Sequence, residues 1–475
     1  MKTKLLLITG VFVFLLYSCP IPGELGEPAD YPARKFWAQN ISTNSFYQLD
    51  AERLYQGRYC NIWAEKGSGV NADTAQAIAN EYDNVIYPKM MRAFGTDFDF
   101  GQNSVLNTME LADYLHDGDG KLCILLLDIQ DSYQEGVNNS YVGGYFDGNN
   151  YKDLREHEYS NRCDMIYVDT YPGKPGTPES NETLAHEMQH LMNFATSFVT
   201  RRNENNVTLM NTWVNEGLSS AAEWLYSGKH PSTRLSYYNN TQLGLISRGN
   251  NFFVWGNRAN EHQYAILDDY STGYLFFQWL RLQSGGTAIY RDIITSSHHN
   301  YQAVTSAANK TIPGKGYDTW GTLLKTWLAA NYIRASAGPY GYMDDSVLNN
   351  IERYSVPAGQ TNISLYPGEA VYSKTAPNAA MPPPGTNIRY ASLSANGEVS
   401  DTSIYADGVL LTYNVNTNTD GRTETGITAG VPGADMSASV LSGSRAVQPL
   451  LSGPHRICGT PILGQNDGWQ VVIDE

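Results

Sequence analysis

The sequence predicts an α+β fold in which a mixed β-sheet with a helix leads into a helical lobe, followed by a separate all-β region at the C-terminus. Three observations predict it. Strand-like runs, among them the apolar Leu122–Leu127, dominate the first third. Helical periodicity takes over from Asn181 to about Arg334. Beyond about Ser355 the chain turns to Gly, Ser, Thr, Asn and Pro with short strand-like runs.

Taken in order, residues 1–18 read as an export signal. Lys2 and Lys4 precede an apolar run from Leu5 to Tyr17 that is shorter than the roughly 20 residues needed to span a bilayer. The run ends Leu16-Tyr17-Ser18-Cys19, which resembles the lipobox of bacterial lipoproteins, with Tyr17 where a smaller residue usually stands. That reading makes Cys19 the acylated N-terminus, 19–33 a tether, and the cell envelope the destination, as the outer membrane, its periplasmic face or the cell surface. The other four cysteines, Cys60, Cys123, Cys163 and Cys458, show no C-x-x-C spacing, so a zinc-thiolate site is disfavoured; buried thiols and disulfides remain alternatives.

Residues 34 to about 65 read as strands, exemplified by Ser45–Leu49 and Gly57–Trp63. Asp73–Phe94 reads as a helix, with apolar residues three and four apart and Gly95 placed to stop it. Leu122–Leu127 reads as a strand buried on both faces and Asp164–Asp169 as another. Gly136–Lys152, rich in Asn, Gly, Tyr and Asp, reads as a long surface loop. Helices follow near 181–198, 211–227, 264–283, 286–296 and 318–334. The expected organisation is a catalytic unit over 34–354, split into a sheet-bearing half (34–198) and a helical lobe (199–354), then a β-rich domain over 355–475.

With 475 residues, 41% hydrophobic and 17% charged, the chain has the composition of a folded protein with room for large cores. Lys plus Arg is 32 against 48 Asp plus Glu, a formal charge of −16, which argues against a nucleic-acid partner.

The segment that carries chemistry is Thr183-Leu184-Ala185-His186-Glu187-Met188-Gln189-His190, an HExxH motif. With Ser180 or Asn181 capping a helix, the i, i+4 spacing puts His186 and His190 on one face, where two imidazoles can share a zinc ion. Glu187 points about a quarter turn away, in reach of a water rather than the metal. A catalytic site needs a third protein ligand, and Glu216, on a second helix ended by Gly228, is the natural one. Asn193 and Thr196 stand where metzincins need Gly and His.

The segment around Glu216 resembles the Asn-Glu helix of the gluzincins. Glu223, seven residues on and on the same face, matches the acid that supports a ligand histidine in zinc aminopeptidases, whereas Ser220 stands where thermolysin-like enzymes carry Asp. Residues 34 to about 340 look like the hyicolysin family of secreted neutral metalloproteases, on the strength of Thr183–Asn193, Trp213–Glu223, the turn Asp117–Lys121 with its Leu-rich strand and Asp128, and Tyr270–Phe277. The resemblance implies a zincin-like catalytic unit acting on protein or peptide substrates, with zinc as cofactor, Glu187 as general base and Tyr270, three residues before Gly273, as a donor to the oxyanion. The absence of a Gly-x-Met-Glu-Asn motif favours an endopeptidase; Asn107–Glu110 is the nearest approach. Asp117, Asp119 and Asp128 offer carboxylates to Ca2+, although EF-hand spacing fails and a plain tight turn is the favoured reading. The competing function is an adhesin or binding lipoprotein whose zinc site is structural or vestigial; an intact Glu187 weighs against it.

Overall fold

The computed structural model describes residues 32–95, 119–152, 154–203, 206–239, 252–255, 265–353, 361–375, 379–394, 396–419, 422–428 and 455–458. The export signal, Cys19, most of the tether, Asp117 and Asn107–Glu110 lie outside them.

The chain enters through a long antiparallel hairpin, β1 (Ala33–Asn40) and β2 (Ser45–Gln56), and β3 (Cys60–Glu65) continues it. A helical crossover follows: α1 (Ala72–Glu81), capped by the Asn71 side chain on the Thr74 amide, runs through a π-helical segment (Tyr82–Ile86) into α2 (Tyr87–Phe94), which ends at Gly95 as its sequence indicates. Strand β4 (Leu122–Leu127) then lies parallel to β3 and is buried at every residue. Alternation along it explains why. Leu122, Ile124 and Leu126 join the helix-covered core, while Cys123, Leu125 and Leu127 pack on the other face with Phe36, Leu49 and Tyr167.

Strand β5 (Ser140–Phe146) corrects the expectation of a surface loop over 136–152: its Gly, Tyr and Asn content hides a strand that is almost wholly buried, because tertiary contacts rather than propensity hold it. Strand β6 (Met165–Asp169) is parallel to β4, and β5 runs antiparallel to β6.

The helical lobe comprises α3 (Pro178–Thr200), a short hairpin of β7 (Arg202–Asn203) and β8 (Asn206–Val207), α4 (Thr212–Ser227), α5 (Ser232–Tyr238), α6 (Ala265–Gln283), α7 (Ala288–Ile294), α8 (Tyr301–Thr311) and α9 (Trp320–Ile333). Helix α3 begins one turn before the expected Ser180 or Asn181 cap, because the Thr177 side chain caps the Ser180 amide and Pro178 supplies a first residue with preset φ. Helix α4 ends as expected at Gly228, which is left-handed. Among the described residues no helix is long and apolar enough to cross a membrane.

The C-terminal region adds β9 (Thr361–Leu365), β10 (Ala370–Lys374), β11 (Ile388–Leu393), β12 (Val399–Ser400), β13 (Val409–Asn414) and β14 (Glu424–Thr428). Four of these form an antiparallel sheet in the order β10-β13-β11-β12, and β9 pairs with β14. One face of the sheet places Tyr372, Leu393 and Leu411 in the same core as Trp327 of α9, and the Tyr372 hydroxyl donates to the Leu328 carbonyl at 2.7 Å. The final described strand, β15 (His455–Cys458), leaves this region and adds to the first sheet, whose order is β1-β2-β3-β4-β6-β5-β15.

Candidate active site

Helix α3 carries His186 and Glu187 in its third turn and His190 in its fourth. All three are buried, and each offers a ligand atom within 4.8 Å of the others. Helix α4 lies against α3 and brings Glu216 between the two imidazoles: its Oε2 is 3.5 Å from His186 Nε2 and 3.5 Å from His190 Nε2. These two nitrogens and this oxygen have no hydrogen-bonding partner.

The remaining ring nitrogens are taken. His186 Nδ1 is 2.8 Å from Glu223 Oε1, and Glu223 Oε1 also accepts from Arg234 Nη2 at 2.6 Å. His190 Nδ1 is 3.0 Å from Ser219 Oγ, which has two further acceptors to hand, Gln189 Oε1 and the Asn215 carbonyl at 2.9 Å. The pattern assigns tautomers. A carboxylate at Glu223 can only accept, so His186 carries its proton on Nδ1 and leaves a lone pair on Nε2. A hydroxyl that accepts from His190 Nδ1 and donates onward does the same for His190.

Three orphaned, fully buried polar atoms that converge from two helices are otherwise an expensive arrangement. Two imidazole lone pairs and one carboxylate are the donor set of a catalytic zinc site, so the residues present fit that ion. Without it the acid and base settle on a proton. Burial alone would lower His190, but the Glu216 carboxylate outweighs burial and lifts it to about 9; burial alone would raise Glu216, but the His190 charge and the closeness of both imidazoles pull it to about 2. A metal entering this site displaces that proton, so its affinity weakens in acid.

Two close backbone approaches hold the constellation. Helices α4 and α6 cross at Gly217 and Gly273: a Cβ on Gly217 would lie 2.4 Å from the Phe277 ring, and one on Gly273 would lie 3.3 Å from the Gly217 Cα. That crossing sets Tyr270, one turn before Gly273, with its ring centroid 6.4 Å from that of His186 and beneath the Arg234 guanidinium at 4.6 Å. On the opposite side, β5 lies against α3 so closely that a Cβ on Gly144 would meet Thr183 Cγ2 at 2.6 Å and Glu187 Cγ at 3.4 Å.

The structure therefore brings together His186, Glu187, His190, Glu216, Glu223 and Tyr270. It also adds Ser219 and Arg234, which sequence reasoning missed. Ser219 sits three residues after Glu216, on the same face of the helix, a signal that could have found it; Arg234 is on a different helix, and no spacing points to it.

The acidic turn is a correction. Asp119 precedes β4 and Asp128 follows it, so a six-residue strand of roughly 20 Å separates them and they cannot share one ion. Asp119 instead accepts from Asn61 Nδ2 and from the Lys121 amide, both at 2.7 Å, as a tight turn would. Cys60, Cys123 and Cys163 are free and buried, and the side chain of Cys458 lies outside the described residues.

A second histidine cluster lies elsewhere in the lobe. His230 Nδ1 is 2.6 Å from the Tyr274 hydroxyl and His230 Nε2 is 2.9 Å from Asp345 Oδ2.

No protein-family model matches the chain. The neutral metalloprotease ShpI of Staphylococcus hyicus is 29% identical over 353 residues, a span covering 72% of each chain. That much shared sequence, together with the clustered His186, Glu187 and His190, marks the chain as a zinc metallopeptidase similar to the neutral metalloproteases.

Proposed function

We propose that the chain is an exported, lipid-anchored zinc metalloendopeptidase that hydrolyses peptide bonds of protein or peptide substrates by general-base catalysis. The observation that carries the catalytic part is the convergence of His186 Nε2, His190 Nε2 and Glu216 Oε2, unpartnered, beside a buried Glu187. His186, His190 and Glu216 would hold the ion. When bound, zinc supplies Lewis acidity that acidifies water and polarises a scissile carbonyl.

The chain's own residues do the rest. Glu187 takes a proton from the attacking water and hands it to the leaving amine. Glu223 and Ser219 keep His186 and His190 in the tautomers that leave both Nε2 lone pairs available, and Arg234 holds Glu223 in place. Tyr270, beside His186, donates to the oxyanion of the tetrahedral intermediate. Cys19 is the acylation site and 19–33 the tether, which places the catalytic unit over 34–354 and the β-rich domain over 355–475 at the bacterial cell envelope. The acidic net charge supports protein rather than nucleic-acid partners.

Hydrolysis of a fluorogenic peptide by zinc-loaded protein, alongside Glu187→Gln with its zinc content measured, tests the reading. The expected result is chelator-sensitive hydrolysis that collapses in the variant while zinc stays bound. Zinc-loaded protein that cleaves nothing would point instead to an adhesin with a structural site. For the anchor, Cys19→Ala should leave the protein in the soluble fraction; a variant that stays in membranes would sink that part.

A further inference from the structure

β5 would be the edge of the first sheet but for β15. It lies directly against the catalytic helix, with Gly144 pressed on Thr183 and Glu187. Its inner side pairs antiparallel with β6, and its outer side pairs in parallel with β15, in the register His455 to Ser140, Arg456 to Tyr141, Ile457 to Val142 and Cys458 to Gly144. β15 also packs against α3. Its last residue thus stands opposite the glycine that abuts the general base.

An exposed strand edge is a template for another extended chain, since its free N–H and C=O groups pair with any backbone regardless of sequence. Such an edge beside a general base suits an enzyme that must grip polypeptides. In this chain the edge is taken by β15.

We infer that residues 455–458 occupy the β5 edge as an intramolecular competitor of extended polypeptide substrate, so the chain is self-inhibited. The inference rests on the peptidase reading above. A segment tethered to its own docking edge competes at an effective concentration that reaches the millimolar range for short flexible links, well above that of a dilute substrate. The apparent substrate affinity then falls by the fraction of molecules in which the strand has left. Because pairing is between backbones, a proline in β15 should release it: the ring removes an N–H and proline is excluded from paired strands.

The test uses the full chain, zinc-loaded, in three forms: wild type, Ile457→Pro, and a variant with Gly-Ser-Gly-Ser at 455–458, which keeps length and removes strand preference if the proline variant does not fold. Hydrogen exchange of the β5 amides reports whether the edge has opened. Peptide hydrolysis should then rise at least about tenfold in kcat/KM, through KM, and an added peptide of residues 453–460 should reverse the rise competitively. An opened edge with unchanged or lower kcat/KM overturns the inference. If no form hydrolyses peptide, the peptidase reading fails separately, and binding of the labelled 453–460 peptide still decides: uptake by the opened variants and not by wild type supports an occupied docking edge, and uptake by neither overturns it.

Discussion

His186 is buried and His230 partly so, and each has a ring nitrogen beside a carboxylate from another element, Glu223 in one case and Asp345 in the other. The second nitrogen separates them. In His230 it meets the Tyr274 hydroxyl, so every ring position is satisfied and the cluster ties the start of α5 to α6 and to the segment after α9. In His186 it faces Glu216 Oε2 at 3.5 Å, with the His190 ring close by and nothing to complete the bonding. A closed polar cluster is a structural tie, because its hydrogen bonds repay the desolvation of its members. An open one in the same protein needs a further occupant, and the chemistry of its donors says which. The two clusters should therefore respond to mutation in opposite currencies, the first in stability and the second in metal and rate.

The largest effect should come from Glu187→Gln, which keeps the size of the side chain and removes the base. Peptide hydrolysis should fall by at least about 10²-fold with zinc content and thermal midpoint near wild type; full-rate hydrolysis in that variant would mean a different base. Next, Ser219→Ala and Glu223→Gln should weaken zinc binding by about 10- to 100-fold in a chelator competition, while Asp345→Asn leaves it unchanged. Loss of zinc affinity in Asp345→Asn would erase the distinction between the clusters. Tyr270→Phe should lower kcat more than it changes KM, because an oxyanion donor is felt chiefly in the transition state; an equal loss in KM would assign Tyr270 to substrate binding instead.

His230→Ala should act on the other side of the comparison. It leaves Asp345 and Tyr274 short of a partner, at about 1–3 kcal/mol of stability, with zinc stoichiometry intact; denaturant unfolding of the loaded protein reads it. The smallest effect is a pH dependence. Burial pushes the Asp345 carboxyl up, but the hydrogen bonds from His230 and the Leu348 amide outweigh burial and hold it below its ordinary value of 3.8. A depressed carboxyl contributes stability above its unfolded pKa and loses it as pH falls through the folded one. The stability difference between wild type and Asp345→Asn should thus be present at pH 7 and shrink below about pH 4. A difference that stays constant into acid would mean that the charge on Asp345 does not matter.

Much of the site was legible because its signals are local. The i, i+4 spacing of His186 and His190 makes them neighbours on any helix, and α4 ends at Gly228 for a reason the residue type alone carries. Strand β4 was legible too, since an unbroken apolar run suits a strand covered on both faces. β5 was not, because Tyr141-Val142-Gly143-Gly144 has loop composition and is held by β6 on one side and α3 on the other. Tyr301–Thr311, α8, escaped notice in a polar stretch where packing of Ala303, Val304 and Ala307 supplies what propensity lacks. The supposed pairing of Asp119 with Asp128 failed because nearness in sequence became the full length of a strand.

Chemistry that depends on residue type and short spacing was determined by the sequence itself: two imidazoles one turn apart, a carboxylate beside them, a second acidic helix downstream. Which atoms meet across helices was decided only by tertiary structure. That Glu216 lies equally far from both imidazoles, that Ser219 rather than a carboxylate steadies His190, that Arg234 reaches Glu223, and that the last strand closes on β5 all depend on how elements cross. Those crossings are set by close packing at places such as Gly217 against Gly273, where a missing methyl group admits a backbone to contact distance and long-range geometry leaves no periodic trace in the chain.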